Sequence, residues 1–187
     1  FLLLTLTASA RADAYRIVSL TPAISESLVA MGLTEQIVGR DEATDHTSLI
    51  GLPVVANYQQ VYLEPLLRLR PTHVVGWQDS LPANLASQLA SFDIELLVSE
   101  TATLDRWIAS SQSIETALGA RQPVTEQWSK ELSRLRGLYA GRQEVEIAWL
   151  LWDRPLMVVG GYGYLNELMT LCAGRNLFGH IDLAAPS

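Results

Sequence analysis

The residues of this chain that could carry out covalent or acid–base chemistry are few. Cys172 is the only cysteine, and it lies in an amphipathic stretch where a buried small apolar residue is the usual role for a cysteine. Asp45 and His46 adjoin in a polar segment, where His46 could ligate a metal ion, although a loop histidine more often forms hydrogen bonds. The sequence contains no serine nucleophile elbow, metal-ligand spacing or dinucleotide fingerprint. These residues therefore favour a non-enzymatic function over an α/β hydrolytic enzyme.

Aromatic residues offer a different chemistry, the binding of a flat and partly apolar ligand. Four are candidates: Tyr58, Trp77, Tyr162 and Tyr164. Trp77 ends a predicted strand, and ligands of open α/β sheets collect at the carboxyl edge of parallel strands, although a tryptophan there can also belong to the core. Tyr58 lies in a polar loop. Tyr162 and Tyr164 lie in the segment GGYGYL, whose three glycines allow close approach to a ligand or simply form a tight turn. The segment lacks the lysine of a phosphate-binding loop.

Hydrophobic patterning predicts the elements that must position these side chains. Short β-branched runs alternate with helical patterns from Arg16 onward, which predicts βα units, a largely parallel sheet and the α/β class. In the first unit, a strand over residues 16–20 is followed by Thr21 as N-cap, Pro22 at the first helical position and Gly32 as stop signal. Further strands are predicted over residues 36–39, 72–77 and 94–98, with helices over 63–70 and 82–92. Residues 40–60 are predicted to form a long loop.

The pattern of predicted strands and helices changes along the sequence, which predicts a chain of four parts. We assign residues 1–12 to a signal peptide remnant, 13–101 to an N-terminal α/β lobe, 102–141 to a helical connector and 142–187 to a partial C-terminal α/β lobe. The predicted later elements are helices over 104–119 and 123–139, strands over 145–152 and 157–161, and a helix over 165–173. About 45 residues remain for the second lobe, where a lobe like the first needs roughly 100, so we expect it to be truncated.

Export is predicted from the first 12 residues, an apolar run that ends in the small-x-small pattern Ala10-Arg11-Ala12 read by signal peptidase. The run is too short to span a bilayer. Because no cysteine follows it where a lipoprotein would be acylated, we predict a periplasmic protein without a lipid anchor. The net charge is −7, from 13 basic and 20 acidic residues, and no basic cluster is present. Nucleic acid is therefore a poor candidate partner.

Four segments, in this order, resemble the helical-backbone periplasmic binding proteins of ABC importers for cobalamin, haem and ferric siderophores. They are RIVSLTPAISESLVAMGL at residues 16–33, IVGR at 37–40, LEPLLRLRPTHVVGW at 63–77 and QLASFDIELLV at 88–98. Trp77 directly after THVVG, and Tyr58 shortly before LEPLL, are most similar to the vitamin B12-binding subgroup. The resemblance extends over about residues 15–178.

This resemblance implies two Rossmann-like lobes with central parallel sheets, joined by a long helical backbone, with a ligand cleft between them. It implies a monomeric binding protein, with no cofactor of its own, that delivers its ligand to a membrane permease powered by a separate ATPase. The expected ligand is cobalamin or a related corrinoid, whose broad ring needs flat apolar platforms and scattered polar partners. The residues expected to bind it are Tyr58, Trp77, Tyr162, Tyr164, Asp45 and His46.

The sequence departs from the subgroup at one position and leaves the ligand open. The subgroup carries a glutamate for docking on permease arginines where this chain has Ala83, so Asp79, the nearest carboxylate, is the candidate docking residue. Haem or a ferric siderophore is the alternative ligand. Haem would need a tyrosine or histidine iron ligand, and a siderophore a cationic cleft residue, for which Arg40 is the candidate. For residues 1–187 alone we expect weak or absent binding.

Overall fold

The structure is a computed structural model that describes residues 15–57 and 59–185. The predicted signal segment and Tyr58 therefore lie outside the described residues. The strands are β1 Ile17–Ser19, β2 Ile37–Asp41, β3 Val54–Ala56, β4 His73–Trp77, β5 Glu95–Ser99, β6 Val145–Ile147, β7 Leu150–Asp153, β8 Leu156–Val158 and β9 Gly174–Asn176. The helices are α1 Pro22–Ala30, α2 Leu63–Arg68, α3 Leu85–Ala90, α4 Leu104–Ala117, α5 Thr125–Tyr139 and α6 Tyr164–Leu171.

The first five strands form one parallel sheet in the order β3-β2-β1-β4-β5. Ile17 on the central strand β1 lies opposite Ile37 on one side and His73 on the other. Helices connect successive strands in most places, which is how parallel neighbours are joined. The predicted α/β class and the parallel sheet are confirmed. This order places the carboxyl ends of β1, β4 and β5 side by side.

The core lies on both faces of this sheet, because successive residues of a strand point to opposite faces. On β1, Ile17 packs with α1 and the end of α4, whereas Val18 packs with α2 and α3. On β4, Val75 joins the first cluster and Val74 the second. Strands buried on both faces read as continuous apolar runs, which is why periodicity located β1 and β4 so well.

The first βα unit also forms as predicted at its turn. Thr21 has extended backbone, and its Oγ1 accepts a hydrogen bond from the N–H of Ile24 at 3.4 Å. Pro22 occupies the first helical turn, where its missing N–H costs nothing. The strand therefore leads directly into the helix.

We predicted that residues 40–60 form a long loop, but part of this segment is a strand. β3 forms within them and pairs with β2, Arg40 lying opposite Val54 and Asp41 opposite Ala56. A three-residue strand bounded by proline and asparagine gives too little periodicity to be seen in the sequence. The predicted loop is thus shorter and is held at the edge of the sheet.

The predicted connector consists of two helices, α4 and α5, which pack together. The indole rings of Trp107 and Trp128 stack with centroids 5.2 Å apart. The buried carboxylate of Glu115 on α4 accepts hydrogen bonds from the N–H groups of Val124 and Thr125 and from the Thr125 hydroxyl. Glu115 thereby caps the start of α5 from the neighbouring helix.

The C-terminal part departs from the prediction in its strands. The predicted single strand over 145–152 is two strands, β6 and β7, separated at residues 148–149, and β7 pairs antiparallel with β8 through a turn at Arg154 and Pro155. β6 instead pairs in parallel with β9, which the sequence did not reveal. The β7–β8 hairpin leaves large apolar side chains uncovered, with Leu150, Trp152 and Leu156 exposed by 60%, 62% and 57%.

Cys172 was expected to be buried, and that expectation is wrong. Cys172 is exposed at the end of α6, because the side of this helix facing the core is formed by other residues, among them buried Met169.

Within residues 15–57 and 59–185, no helix has the length and apolar character needed to cross a membrane.

Candidate functional site

The carboxyl edge of the parallel sheet carries Trp77 at the end of β4 and Ser99 at the end of β5, opposite each other in register. Trp77 is half-buried and packs against the cluster beside α1 and α4. Just beyond the strands, the Thr101 hydroxyl donates to Asp79 Oδ2 at 2.5 Å. This bond joins the segments that follow β4 and β5, so the edge of the sheet continues into an ordered polar rim.

Tyr164 brings the C-terminal part of the chain to the same edge. It is the first residue of α6, and its N–H donates to the carbonyl oxygen of Thr101 at 3.0 Å. Its ring lies edge-to-face with the indole of Trp77, at a centroid distance of 6.5 Å and an interplanar angle of 67°. That distance is within the range of favourable aromatic pairs. Two of the predicted binding aromatics, distant in sequence, are therefore neighbours; we call them the Trp77–Tyr164 pair.

The glycines of GGYGYL serve the chain's own turn. A Cβ on Gly161 would collide with the carbonyl oxygen of Gly179, and the Gly161 N–H donates to the Ile181 carbonyl at 2.7 Å. Gly163 has a φ of +97°, which other residues adopt only under strain. Gly163 therefore serves the turn, whereas Gly161 allows close packing against residues 179–181, and the approach of a ligand to this segment stays a prediction. Tyr162, exposed by 46%, projects from that turn.

Asp45 and His46 lie on the loop that follows β2, next to the buried residue Thr44. Asp45 is exposed, and His46 is half-buried with its Nδ1 accepting a hydrogen bond from the N–H of Ser48 at 3.3 Å. That bond leaves only Nε2 for a metal or a ligand. Within residues 15–57 and 59–185, no group of three or more His, Cys, Asp or Glu side chains could hold a metal ion. The structure thus shows a hydrogen-bonding role for His46, and its role in ligand binding stays a prediction.

A buried hydroxyl network forms the base of this loop. The Thr44 hydroxyl donates to Asp41 Oδ1 and lies 3.0 Å from the Ser25 Oγ, which in turn donates to Ser19 Oγ at 2.9 Å. All four residues are buried. The network joins β1, α1 and the loop after β2 through hydrogen bonds between buried side chains.

Arg40 contributes to the same loop, and its predicted role as a cationic cleft residue is wrong. Only 8% of its surface is exposed. Its Nη1 donates to the carbonyl oxygens of Asp41, Glu42 and Thr44, and its Nη2 to that of Ile50. Both terminal nitrogens are committed to loop carbonyls, and Nε is buried without a hydrogen-bond partner among the described residues, so little of the guanidinium is accessible to an anionic ligand. Sequence alone gave no signal for this role, since the acceptors are backbone atoms.

Asp79 and Tyr58 are the remaining residues of the predicted site. Asp79 is exposed, and its carboxylate accepts the Thr101 hydrogen bond at the rim beside Trp77. Its role in docking to a permease stays a prediction. Tyr58 lies outside the described residues, so its role also stays a prediction, as do the ligand-binding roles of the other residues. Sequence reasoning missed Thr101 and Glu167, whose contacts reach across distant parts of the chain.

Burial raises the pKa of the Tyr164 hydroxyl above its ordinary value of 10.0. A tyrosine whose pKa is raised on folding adds stability that is complete below the unfolded-state pKa and is lost as the pH rises through the folded-state pKa. We therefore expect the free energy of unfolding to fall above pH 10, and Tyr164→Phe, with no proton to lose, to fall less. Urea unfolding at about pH 8 and about pH 10.5 measures the difference.

Tyr162→Phe is the matched control for this titration, because Tyr162 is more exposed and lies two residues away. It should keep the alkaline loss of stability seen in the wild-type chain. An equal loss of stability in Tyr164→Phe and in the wild-type chain would contradict the expectation.

Comparison with curated proteins finds relatives that share one description, although no family model matches the sequence. A vitamin B12-binding protein of Vibrio parahaemolyticus is 30% identical over 178 residues, with 91% of this chain and 63% of the relative covered. A vitamin B12-binding protein of Yersinia pestis is 30% identical over 182 residues, with 94% and 63% covered. The chain thus spans somewhat less than two thirds of the length of these relatives.

Solved structures with the same fold include two periplasmic proteins of Vibrio cholerae. The vitamin B12-binding protein has a TM-score of 0.81 at 27% identity, with 93% of this chain and 70% of that chain covered. The haem-binding protein has a TM-score of 0.75 at 21% identity, with 92% and 69% covered. Similarity to the haem-binding protein establishes the fold alone. Similarity to the vitamin B12-binding protein agrees with the description shared by the sequence relatives.

Proposed function

We propose that this chain is a periplasmic solute-binding protein of an ABC importer, of the vitamin B12-binding subgroup, and that it binds cobalamin or a related corrinoid. It would hold this ligand at the carboxyl edge of the parallel sheet and deliver it to a membrane permease with its ATPase. The role is one of binding and transport in the periplasm, without catalysis. The relatives at 30% identity are vitamin B12-binding proteins, which supports this choice of ligand.

The observation that carries the proposal is the Trp77–Tyr164 pair. Its two rings come from distant parts of the described chain and meet where ligands of open parallel sheets collect. Both residues are half-buried, so each retains surface that a ligand could cover. A corrinoid is broad and carries amide arms, and the polar rim of Asp79 and Thr101 offers hydrogen-bond partners beside the rings.

Haem is the second candidate ligand, because haem-binding proteins of Vibrio cholerae and Pseudomonas aeruginosa share the fold with TM-scores of 0.75 and 0.79. Haem iron would require an axial side chain such as Tyr162, whose exposed position leaves its hydroxyl free to ligate. A ferric siderophore is less well supported, since the guanidinium of Arg40 is committed to loop carbonyls. Asp79 remains our candidate for contact with permease arginines.

The test is a titration of the chain with cyanocobalamin, haemin and a ferric siderophore in turn, followed by tryptophan fluorescence. We expect cyanocobalamin to bind most tightly of the three, whatever the absolute affinity. Proximity to Trp77 should quench part of the emission on binding. Saturation by haemin or the siderophore, under conditions where cyanocobalamin does not bind, would reject the corrinoid proposal. The Trp152→Ala variant, which lacks an exposed tryptophan on the hairpin, serves as control for non-specific quenching.

A further inference from the structure

The side chain of Glu167 on α6 reaches the start of α4. Its Oε2 accepts a hydrogen bond from the N–H of Leu104 at 2.7 Å, across 63 residues of sequence. The first N–H groups of a helix have no partner within the helix. The Thr103 hydroxyl satisfies that of Arg106 at 3.1 Å, and Glu167 satisfies that of Leu104. A carboxylate at this end of α4 is also favoured by the helix dipole.

A second contact holds the same turn of α6. The Tyr164 N–H donates to the carbonyl oxygen of Thr101, whose hydroxyl donates to Asp79. Tyr164 and Glu167 are three residues apart in α6 and so lie on the same face of the helix. The first turn of α6 is therefore fixed at two points on residues 101–104, by its backbone at one end and by a carboxylate at the other.

We propose that Glu167 and Thr101 are positioning residues that hold the ring of Tyr164 against Trp77. Rotation or withdrawal of α6 would break the Glu167–Leu104 bond and would change the 6.5 Å separation of the two rings. Thr101 ties the same turn to Asp79, beyond the end of β4. This proposal rests on the proposed function in one respect, that the Trp77–Tyr164 pair forms the ligand platform.

Amide hydrogen exchange of the unliganded chain tests the positioning role directly. In Glu167→Ala, we expect the amides of Leu104 and Tyr164 to exchange at least roughly tenfold faster, while amides of β1 and β4 keep their rates. Glu167→Gln retains an oxygen acceptor and should preserve most of the protection. Glu126→Ala, an exposed carboxylate on α5, is the matched control and should leave all these rates unchanged.

Two results would overturn the proposal. One is unchanged exchange at Leu104 and Tyr164 in Glu167→Ala. The other is acceleration by the same factor throughout β1 and β4, which would reveal only a general loss of stability.

Binding of cyanocobalamin gives the functional readout. We expect Glu167→Ala to weaken it about tenfold and Glu167→Gln by no more than about threefold. Unchanged affinity in Glu167→Ala, despite faster exchange, would show that the position of Tyr164 does not govern binding and would overturn the proposal. Failure of the wild-type chain to bind cobalamin, with haemin bound instead, would reject the proposed ligand, and the exchange data would still decide the positioning role.

Discussion

Arg40→Ala should lower the free energy of unfolding by about 2–4 kcal/mol, the largest effect that we expect from a single substitution. The guanidinium donates to the carbonyl oxygens of Asp41, Glu42, Thr44 and Ile50 from a nearly buried position. Its removal leaves buried acceptors without a partner and opens a cavity beneath the loop. Urea unfolding of the wild-type chain and the variant, followed by circular dichroism, measures the change.

Two variants separate the geometry of Arg40 from its charge. Arg40→Lys keeps the positive charge, but one ammonium cannot replace the two nitrogens that reach opposite parts of the loop, so we expect roughly half the loss. Arg68→Ala is the matched control, because Arg68 pairs with Glu64 on the exposed side of α2, and it should change stability by at most about 0.5 kcal/mol. A loss in Arg40→Ala no larger than in this control would refute the assignment of Arg40 to the loop.

Trp77→Ala should weaken binding of cyanocobalamin by about 1 kcal/mol or more, at least roughly fivefold in the dissociation constant. The substitution removes the platform at the carboxyl edge of the sheet and leaves Tyr164 without its aromatic neighbour. Trp77→Phe keeps a ring at the same place and should lose less affinity. Isothermal titration calorimetry measures both variants.

Trp77 also packs against the core, so the fold of each variant must be checked by circular dichroism before binding is compared. Trp152→Ala removes a tryptophan of the exposed hairpin and should leave affinity unchanged. Unchanged affinity in a folded Trp77→Ala variant would show that Trp77 belongs to the core alone.

The sheet and its carboxyl edge could be predicted from the sequence because its inner strands are apolar on both faces and their helices carry clear start signals. Thr21 and Pro22 marked α1, and Trp77 was placed correctly at the end of β4. The run 145–152 was harder, because its largely apolar residues do not reveal the break at residues 148–149 that separates β6 from β7. Pro155 instead marks the turn between β7 and β8, since proline cannot donate to a strand ladder.

The site itself was predictable only as a set of separate residues. Sequence located Trp77 and Tyr164 near the ends of strands, but their contact depends on how α6 lies against residues 101–104. The anchoring of the loop by Arg40 was not predictable either, because its acceptors are carbonyl groups that every residue possesses. Local sequence patterns thus identify residues of the site such as Trp77 and Tyr164, whereas the contacts between them are set by the tertiary structure.

The place of β1 at the centre of the sheet has a consequence for the order of folding. β1 pairs with β2, which is close in sequence, but its other neighbour is β4, and the backbone N–H of Leu20 reaches the carbonyl oxygen of Val75. Closing so large a loop costs chain entropy before any contact offsets it. We therefore expect β1 to pair with β2 before it pairs with β4, and the contact of Tyr164 with Trp77, which closes a still larger loop, to form after both. Helix α6, which follows the five-stranded sheet in sequence, thus completes an edge that the earlier residues have already built.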